Sequence, residues 1–271
     1  MQTTKNSFKQ KLNYDPIRKR HERRIKQIND IFIETRLSIG GLKRQLLKYE
    51  GHKQARIHIA VPSNGGKNAN IQRKRSQIIG MLNQKIAHKE FMQSLVFAIT
   101  VTESYVQDTL CLALTAYPHK LTVSPKGNKS ESFCVDVKEI ANTESLDNLI
   151  SELARLRIRD VMYATPKSYM NYMNEVLSFT INDELLDKYI EMKATRDAYI
   201  HGDGTCNEIY IKKSGKMARV KVGERLPVDE DYLKNCLACM KEIFTEIYRG
   251  MMNHHGDSKK MQRAFDLDPS L

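Results

Sequence analysis

Apolar positions recur with helical spacing through much of this chain, most clearly between residues 182 and 201. The apolar stripe there steps by four and three residues, which keeps its side chains on one face of a helix. The stripe consists of Leu185, Tyr189, Met192, Arg196 and Tyr199. Arg196 occupies a place where a hydrophobic residue is expected, so this cation needs a partner or a function. The alternative is an arginine that extends to solvent or forms an ion pair in the core.

The same periodicity predicts a mostly helical chain, and the expected fold class is an all-α bundle. Thr165 and Pro166 suit the N-cap and first turn of one helix, and Asp229 suits the N-cap of the last. The segment over 70–117 is expected as one long helix or as two stacked helices. Helices are predicted over residues 15–49, 70–117, 144–163, 166–179, 182–201 and 230–253.

Shorter segments interrupt this helical pattern. Glu208–Lys213 and Lys216–Val222, joined by Ser214-Gly215, predict a small β-hairpin insert. Residues 61–69 predict a flexible loop, and residues 118–142 predict irregular structure. The chain is therefore expected to divide into a basic helical extension with a loop (1–69), a helical bundle (70–256) and a flexible tail (257–271).

The helix over residues 182–201 ends with an arginine and a histidine five residues apart, Arg196 and His201. Arginine can place two donors on a phosphate, and histidine can accept or donate a proton near pH 7. Asp197 precedes His201 by four residues, so the two are expected to touch, with Asp197 orienting the imidazole. Gly202 and Gly204 are expected to end the helix beside an accessible histidine.

Spacing alone is weak evidence, because chance gives about half a match at any one offset in a chain of this composition. A second pair, Arg249 and His254, has the same spacing. Context favours the first pair, whose arginine interrupts an apolar stripe. Glu103 interrupts the apolar stripe of the long helix in the same way. We therefore expect Glu103 to pair with Arg196 and to fix the rotamer of Arg196. The alternative is that the Glu103 side chain reaches solvent. Tyr199 is expected either to line the site or to lie in the core.

The end of this helix carries an arginine, a polar residue, three further residues and a histidine, and a glycine-containing turn follows. This motif resembles that of the HEPN superfamily of small helical ribonucleases. The resemblance covers residues 166–252 together with the helix around residues 91–117. The run from Lys193 to Asp197 and the later Asn207 and Tyr210 resemble the RiboL-PSP type of HEPN domain. The family more often has asparagine at the position of Asp197.

The resemblance implies a HEPN-type bundle whose motifs meet across a homodimer interface and cleave RNA without a metal or other cofactor. Arg196 would hold the scissile phosphate, His201 would act as general base or acid, and Asp197 would orient it. The resemblance also implies a phage-defence effector or toxin that acts on tRNA or mRNA. Whether a regulatory protein binds to it stays open. Adenylylation of a tyrosine two residues after the histidine is not expected, because Asp203 stands there. The rival functions are a non-catalytic RNA-binding or scaffold protein and a structural interaction module.

Positive charge is concentrated in the first third of the chain. Residues 1–90 contain 21 lysines and arginines against 6 acidic residues, a net charge of +15, whereas the whole chain carries +12. Such a segment favours phosphate contacts with RNA. The expected RNA-binding side chains are Arg18, Lys19, Arg20, Arg23, Arg24, Arg73, Lys74 and Arg75. The alternatives are a solvated helix face or a surface for an acidic protein.

Composition favours a cytoplasmic protein without a membrane segment. No run of 18 apolar residues is present, and the polar N-terminus lacks the apolar core of a signal peptide. The five cysteines are scattered and odd in number, which suits a reducing compartment. Cys236 and Cys239 form a CxxC inside an apolar helix pattern, so they are expected in the core and not at a metal site.

Overall fold

The computed structural model describes residues 16–63, 66–124, 135, 138, 140, 143–255 and 259–267. The described chain is predominantly helical with one two-stranded sheet, so the predicted all-α class is confirmed. The helices are α1 (Pro16–Glu50), α2 (Arg75–Gln84), α3 (Glu90–Ala116), α4 (Leu146–Met162), α5 (Pro166–Leu177), α6 (Asp183–Gly202), α7 (Glu208–Ser214), α8 (Glu230–His255) and α9 (Lys259–Leu267). The strands are β1 (Arg56–Pro62) and β2 (Asn68–Lys74). Most of the segment predicted as irregular over residues 118–142, including Cys134, lies outside the described residues.

Side-chain caps explain where three of these helices begin. The Thr165 hydroxyl accepts from the Ser168 amide at 3.3 Å, and Asn182 Oδ1 accepts from the Glu184 amide at 2.8 Å. Asp229 Oδ1 accepts from the Tyr232 amide at 2.8 Å. Each bond satisfies an amide that has no partner inside its helix. The starts predicted at these positions are confirmed.

Helix α3 forms the centre of the core because it is apolar on almost every face. Leu95, Ala98, Ile99, Val106 and Leu110 are at most 1% exposed. Around it pack α1, α4, α5, α6, α8 and α9. The segment over 70–117, expected as one long helix or as two stacked helices, consists of α2 and α3, which the π-helical turn Lys85–Lys89 joins. Helix α2 begins at Arg75 and not at residue 70.

Helix α1 is a member of the bundle and not an extension of it. Ile28, Ile31 and Ile39 are buried in the same core cluster as α3. Arg24 Nη2 pairs with Asp108 Oδ2 at 2.5 Å, and the hydroxyls of Thr35 and Ser94 lie 2.6 Å apart. Because α1 shares the core, the boundary predicted at residue 69 does not separate two packing units.

The β-hairpin predicted over residues 208–222 is wrong. That segment begins with α7 and continues through the 3₁₀ turn Gly215–Met217. Asn207 Oδ1 caps α7 by accepting from the Tyr210 amide at 2.9 Å, and the helix carries the Tyr210 side chain into a buried site. Capping and burial therefore override the β propensity of this short run. The sheet of this protein lies instead at β1 and β2, partly within the loop predicted over 61–69.

The flexible tail predicted after residue 257 is wrong over residues 259–267. Met261 and Ala264 lie three residues apart on one face of α9 and are buried in the core. Arg263 Nη2 also pairs with Asp147 Oδ2 at 2.5 Å. This amphipathic spacing spans barely two turns, which is too short to predict a helix from the sequence.

Candidate functional site

Helix α6 ends in a sharp turn immediately after His201. Asp203 has φ +55° and Gly204 has φ +76°, and the Gly204 amide donates to the Ala198 carbonyl at 3.0 Å. The Leu226 amide donates to the Gly204 carbonyl at 2.9 Å, so the turn is tied to the chain that returns towards α8. The imidazole of His201 is exposed on the last turn of the helix.

Arg196 lies on the core-facing stripe of α6, where Glu103 of α3 stands opposite. Its Nη2 is 3.6 Å from Glu103 Oε1, and its Nε is 3.4 Å from Asp197 Oδ1. The Arg196 side chain keeps 23% of its surface exposed. The Lys193 ammonium also pairs with Glu103. Since each of the two carboxylates beside Arg196 also pairs with a lysine, the Arg196 guanidinium is held in place but only partly neutralised.

Asp197 does not orient His201 as predicted. Its Oδ2 accepts from the Lys213 ammonium of α7 at 2.9 Å, and its Oδ1 faces Arg196. Among the described residues, no hydrogen bond joins Asp197 to His201. The four-residue spacing made that contact available, but the Arg196 and Lys213 cations occupy the two oxygens of the Asp197 carboxylate instead.

A groove of about 410 Å³ opens between the end of α6 and α7. Its lining includes Asp197, His201, Asn207, Ile209 and Lys213. An imidazole, an ammonium group and an amide therefore share one open concavity. Arg196 is not part of this lining, because five residues separate it from His201 and turn it by about 140° around the helix.

Tyr199 does not line the groove, contrary to one of the two roles expected for it. Its hydroxyl donates to the Leu226 carbonyl at 2.5 Å, and its ring covers Gly204. A Cβ added at Gly204 would lie 2.5 Å from Tyr199 Cε1. Tyr199 therefore fixes the turn that follows His201.

Replacing Gly204 by alanine is expected to lower the free energy of unfolding by about 2 kcal/mol, because the positive φ and the Tyr199 ring both oppose a side chain. Gly202→Ala is the matched control. Its Cβ would meet nothing within 4 Å, so it should be neutral or stabilising by up to about 1 kcal/mol. Chemical denaturation of both variants measures the difference, and equal stabilities would contradict this account of the turn.

A buried hydrogen-bond network around the Glu191 carboxylate holds the wall of the groove, and it was not predicted from the sequence. Glu191 of α6 is 4% exposed. Its Oε1 accepts from Arg219 Nε at 2.8 Å, from the Tyr210 hydroxyl at 2.8 Å and from the Thr195 hydroxyl at 2.7 Å. Its Oε2 accepts from the Tyr232 hydroxyl at 2.8 Å.

Arg219 is the second centre of this network. Its Nη1 donates to the Pro227 carbonyl at 2.6 Å, and its guanidinium lies 3.7 Å from the centre of the Tyr232 ring. Burial raises the pKa of the Tyr232 hydroxyl well above its ordinary value, so this residue donates to Glu191 as a neutral phenol. The network fastens the chain from α7 to the start of α8 onto α6, and so positions Asn207 and Lys213.

The eight basic residues expected to bind RNA are not equally available. Lys19, Arg23, Arg73 and Lys74 are exposed. Arg20 is 6% exposed with its guanidinium near the Phe265 ring, and Arg24 is held by Ser104 and Asp108, so these two are wrong as phosphate ligands. Arg18 lies 3.8 Å from Glu22, and Arg75 donates to the His52 carbonyl. The helical spacing of α1 turns Arg20 and Arg24 towards α3 and α9.

Neither the second arginine–histidine pair nor the CxxC lines the groove at His201. Arg249 and His254 are exposed near the end of α8, and neither lines the groove at His201. Cys236 and Cys239 are buried as predicted, and burial raises the pKa of the Cys239 thiol to about 12. Within the described ranges, no group of three or more histidine, cysteine, aspartate or glutamate side chains is arranged to hold a metal ion.

Comparison of the chain with protein-family models, curated proteins and solved structures finds no match. None of the described helices combines the length and apolar character needed to cross a bilayer.

Proposed function

We propose that this protein is a metal-independent endoribonuclease of HEPN type. The observation that carries the proposal is the exposed imidazole of His201, which opens into a groove beside the Asp197–Lys213 ion pair. It lies five residues along α6 from the partly exposed Arg196. A titratable base next to cations suits phosphodiester chemistry. The resemblance of the Arg196–His201 spacing to the HEPN motif supports the same reaction.

In the proposed reaction, His201 removes the proton from a ribose 2′-hydroxyl, and the oxygen attacks the adjacent phosphorus. Arg196 stabilises the negative charge that builds on the phosphoryl oxygens. The bond to the 5′-oxygen breaks, and that oxygen takes a proton from a second imidazole or from water. The products are a 2′,3′-cyclic phosphate and a 5′-hydroxyl. RNA supplies its own nucleophile, so the reaction needs no bound metal.

The proposed active form is a homodimer. Arg196 and His201 point about 140° apart on one helix, so a single chain does not direct both at one phosphate. Two copies related by a two-fold axis would bring two arginines and two histidines together. Ile200 and Ile209, 50% and 62% exposed beside His201, give this face the apolar surface that a subunit interface requires. The proposed setting, again from the resemblance, is cytoplasmic phage defence or toxicity directed at tRNA or mRNA.

A non-catalytic RNA-binding or scaffold function is the second candidate. It is favoured by the ion pairs that Arg196 already makes with Glu103 and Asp197. A guanidinium held by two carboxylates has less positive charge to offer a phosphate. RNA binding without cleavage by the purified protein would establish this alternative.

Chelator is expected to leave the cleavage rate unchanged, and the fragments should carry 2′,3′-cyclic phosphate or 3′-phosphate ends. The reason is that the 2′-hydroxyl acts as the nucleophile and His201 as the base. The measurement is cleavage of a defined RNA with and without EDTA, followed by mass spectrometry of the fragments. A strict requirement for magnesium together with 3′-hydroxyl ends would refute this mechanism.

Mixed dimers of Arg196→Ala and His201→Ala chains are expected to have at most partial activity. Each mixed cleft holds one arginine and one histidine instead of two of each, so phosphate stabilisation and proton transfer are both weakened. Differently tagged chains, co-expressed and purified through both tags, provide the sample. A fully active monomer of the unaltered protein at high dilution would contradict the shared cleft.

A further inference from the structure

The two-stranded hairpin formed by β1 and β2 stands apart from the helical core. Each strand has seven residues, so the hairpin extends for about 23 Å. It joins the bundle at its base, where the Arg75 amide donates to the Ala55 carbonyl at 2.9 Å. None of its described residues is buried. An isolated two-stranded sheet is only marginally stable in water. A hairpin that adds little to the core of this protein is therefore a candidate for a binding function.

The strand register gives the hairpin two different faces. Antiparallel pairing sets Arg56 opposite Lys74 and His58 opposite Gln72. These side chains share one exposed face with the asparagines of β2. Gln72 lies 3.2 Å from His58 Nε2 and accepts from Arg56 at 3.3 Å. The polar side chains of this face are Arg56, His58, Asn68, Asn70, Gln72 and Lys74, and Ala60 and Pro62 of β1 lie on it beside them.

The surrounding sequence has one sign of charge. Residues 51–89 contain eight lysines and arginines and no aspartate or glutamate. A surface with donors throughout and no carboxylate attracts a polyanion and repels a positively charged partner.

The same segment lacks aromatic side chains. Residues 51–89 contain no phenylalanine, tyrosine or tryptophan. Proteins that bind single strands without sequence preference stack bases on such rings. Double-stranded RNA is recognised instead through its phosphates and 2′-hydroxyls across a wide, shallow minor groove. Arginine, lysine, asparagine, glutamine and histidine side chains suit that surface because they can bond to both groups.

We propose that the hairpin Arg56–Lys74 is an arm whose polar face binds the sugar–phosphate backbone of double-helical RNA. This proposal rests on the proposed function for the choice of RNA as the ligand. It adds a preference for double-helical RNA, which the groove at His201 does not explain. The arm holds a base-paired region of the substrate while the groove at His201 acts on a strand near it.

The test measures binding in the full chain carrying His201→Ala, so that cleavage does not interfere. The probes are a 20-base-pair RNA duplex and one of its strands with no self-complementarity, each followed by fluorescence anisotropy at several salt concentrations. The arm variant is Arg56→Gln with Lys74→Gln, an exposed cross-strand pair. The control, Arg159→Gln with Lys167→Gln, removes the same two kinds of charge from exposed positions on α4 and α5.

The duplex is expected to bind more tightly than the single strand. In the arm variant, the slope of log affinity against log salt for the duplex should fall by about one unit per lost contact, so about two. The control should keep the original slope and the preference for duplex. An unchanged slope in the arm variant, or tighter binding of the single strand, would overturn the proposal.

A third variant examines the opposite face of the arm. Ile59 and Ile71 face each other there and are partly buried. Ile59→Thr with Ile71→Thr is expected to leave the oligomeric state in sedimentation velocity unchanged. Dissociation to monomer, with duplex binding intact in the arm variant, would make the hairpin a self-association element and overturn the proposal. Lack of cleavage by the unaltered protein would defeat the proposed reaction but not these binding results.

Discussion

His201→Ala is expected to reduce RNA cleavage by about 10²–10⁴-fold while the fold and oligomeric state stay unchanged. This range is the usual contribution of a general acid or base that is positioned in the site. The imidazole is exposed and has no hydrogen-bond partner among the described residues, so its removal costs little stability. Initial rates on a fluorescent RNA, measured alongside circular dichroism and sedimentation, provide the test.

His254→Ala is the matched control for this prediction. His254 follows Arg249 by the same five residues and is likewise exposed at the end of a helix, but it does not line the groove at His201. Its activity should equal that of the unaltered protein. Full activity of His201→Ala together with loss of activity in His254→Ala would assign the reaction to the other pair.

The sequence was sufficient to predict the helices whose signals are local. Thr165, Asn182 and Asp229 stand before apolar periodic runs, and each caps the helix that follows it. The interruption of two apolar stripes by Arg196 and Glu103 also indicated that α6 and α3 face each other. These inferences depend only on spacing and on side-chain chemistry within one helix.

The network around Glu191 could not be predicted in the same way. Arg219 is 28 residues further along the chain and reaches Glu191 only because α7 folds back on α6. The burial of Arg24 similarly depends on Asp108 of α3, 84 residues away. Long-range partners of this kind leave no periodic trace, so a buried arginine and an RNA-binding arginine look alike in the sequence.

The arm was missed although a local signal for it exists. Ile57, Ile59 and Val61 alternate with exposed residues, and the sequence that follows contains Asn-Gly, a dipeptide common in hairpin turns. The segment over 208–222 has similar β-forming side chains but becomes α7, because Asn207 caps it and Tyr210 is needed beside Glu191. Turn chemistry was therefore a better guide to strands here than β propensity.

Glu191→Ala is expected to lower the free energy of unfolding by about 3–5 kcal/mol, because it leaves the Arg219 charge and three hydroxyls without their acceptor in a buried site. It should also reduce cleavage, since α7 carries the groove residues Asn207 and Lys213 and would lose its attachment to α6. Denaturant unfolding gives the stability. Hydrogen exchange of the α7 amides, which should become faster than exchange in α3, gives the local effect.

Two further variants test whether the loss of stability comes from the Glu191 network or from the removal of any charge. Glu184→Ala removes an exposed carboxylate from the same helix, which pairs only with Lys188 in the described chain, and should change stability little. Glu191→Leu combined with Arg219→Met removes both charges together, so it should be less destabilising than the sum of the two single changes. Additive losses would show that Glu191 and Arg219 are not energetically coupled. Unchanged α7 exchange in Glu191→Ala would show that the groove wall is held by other contacts.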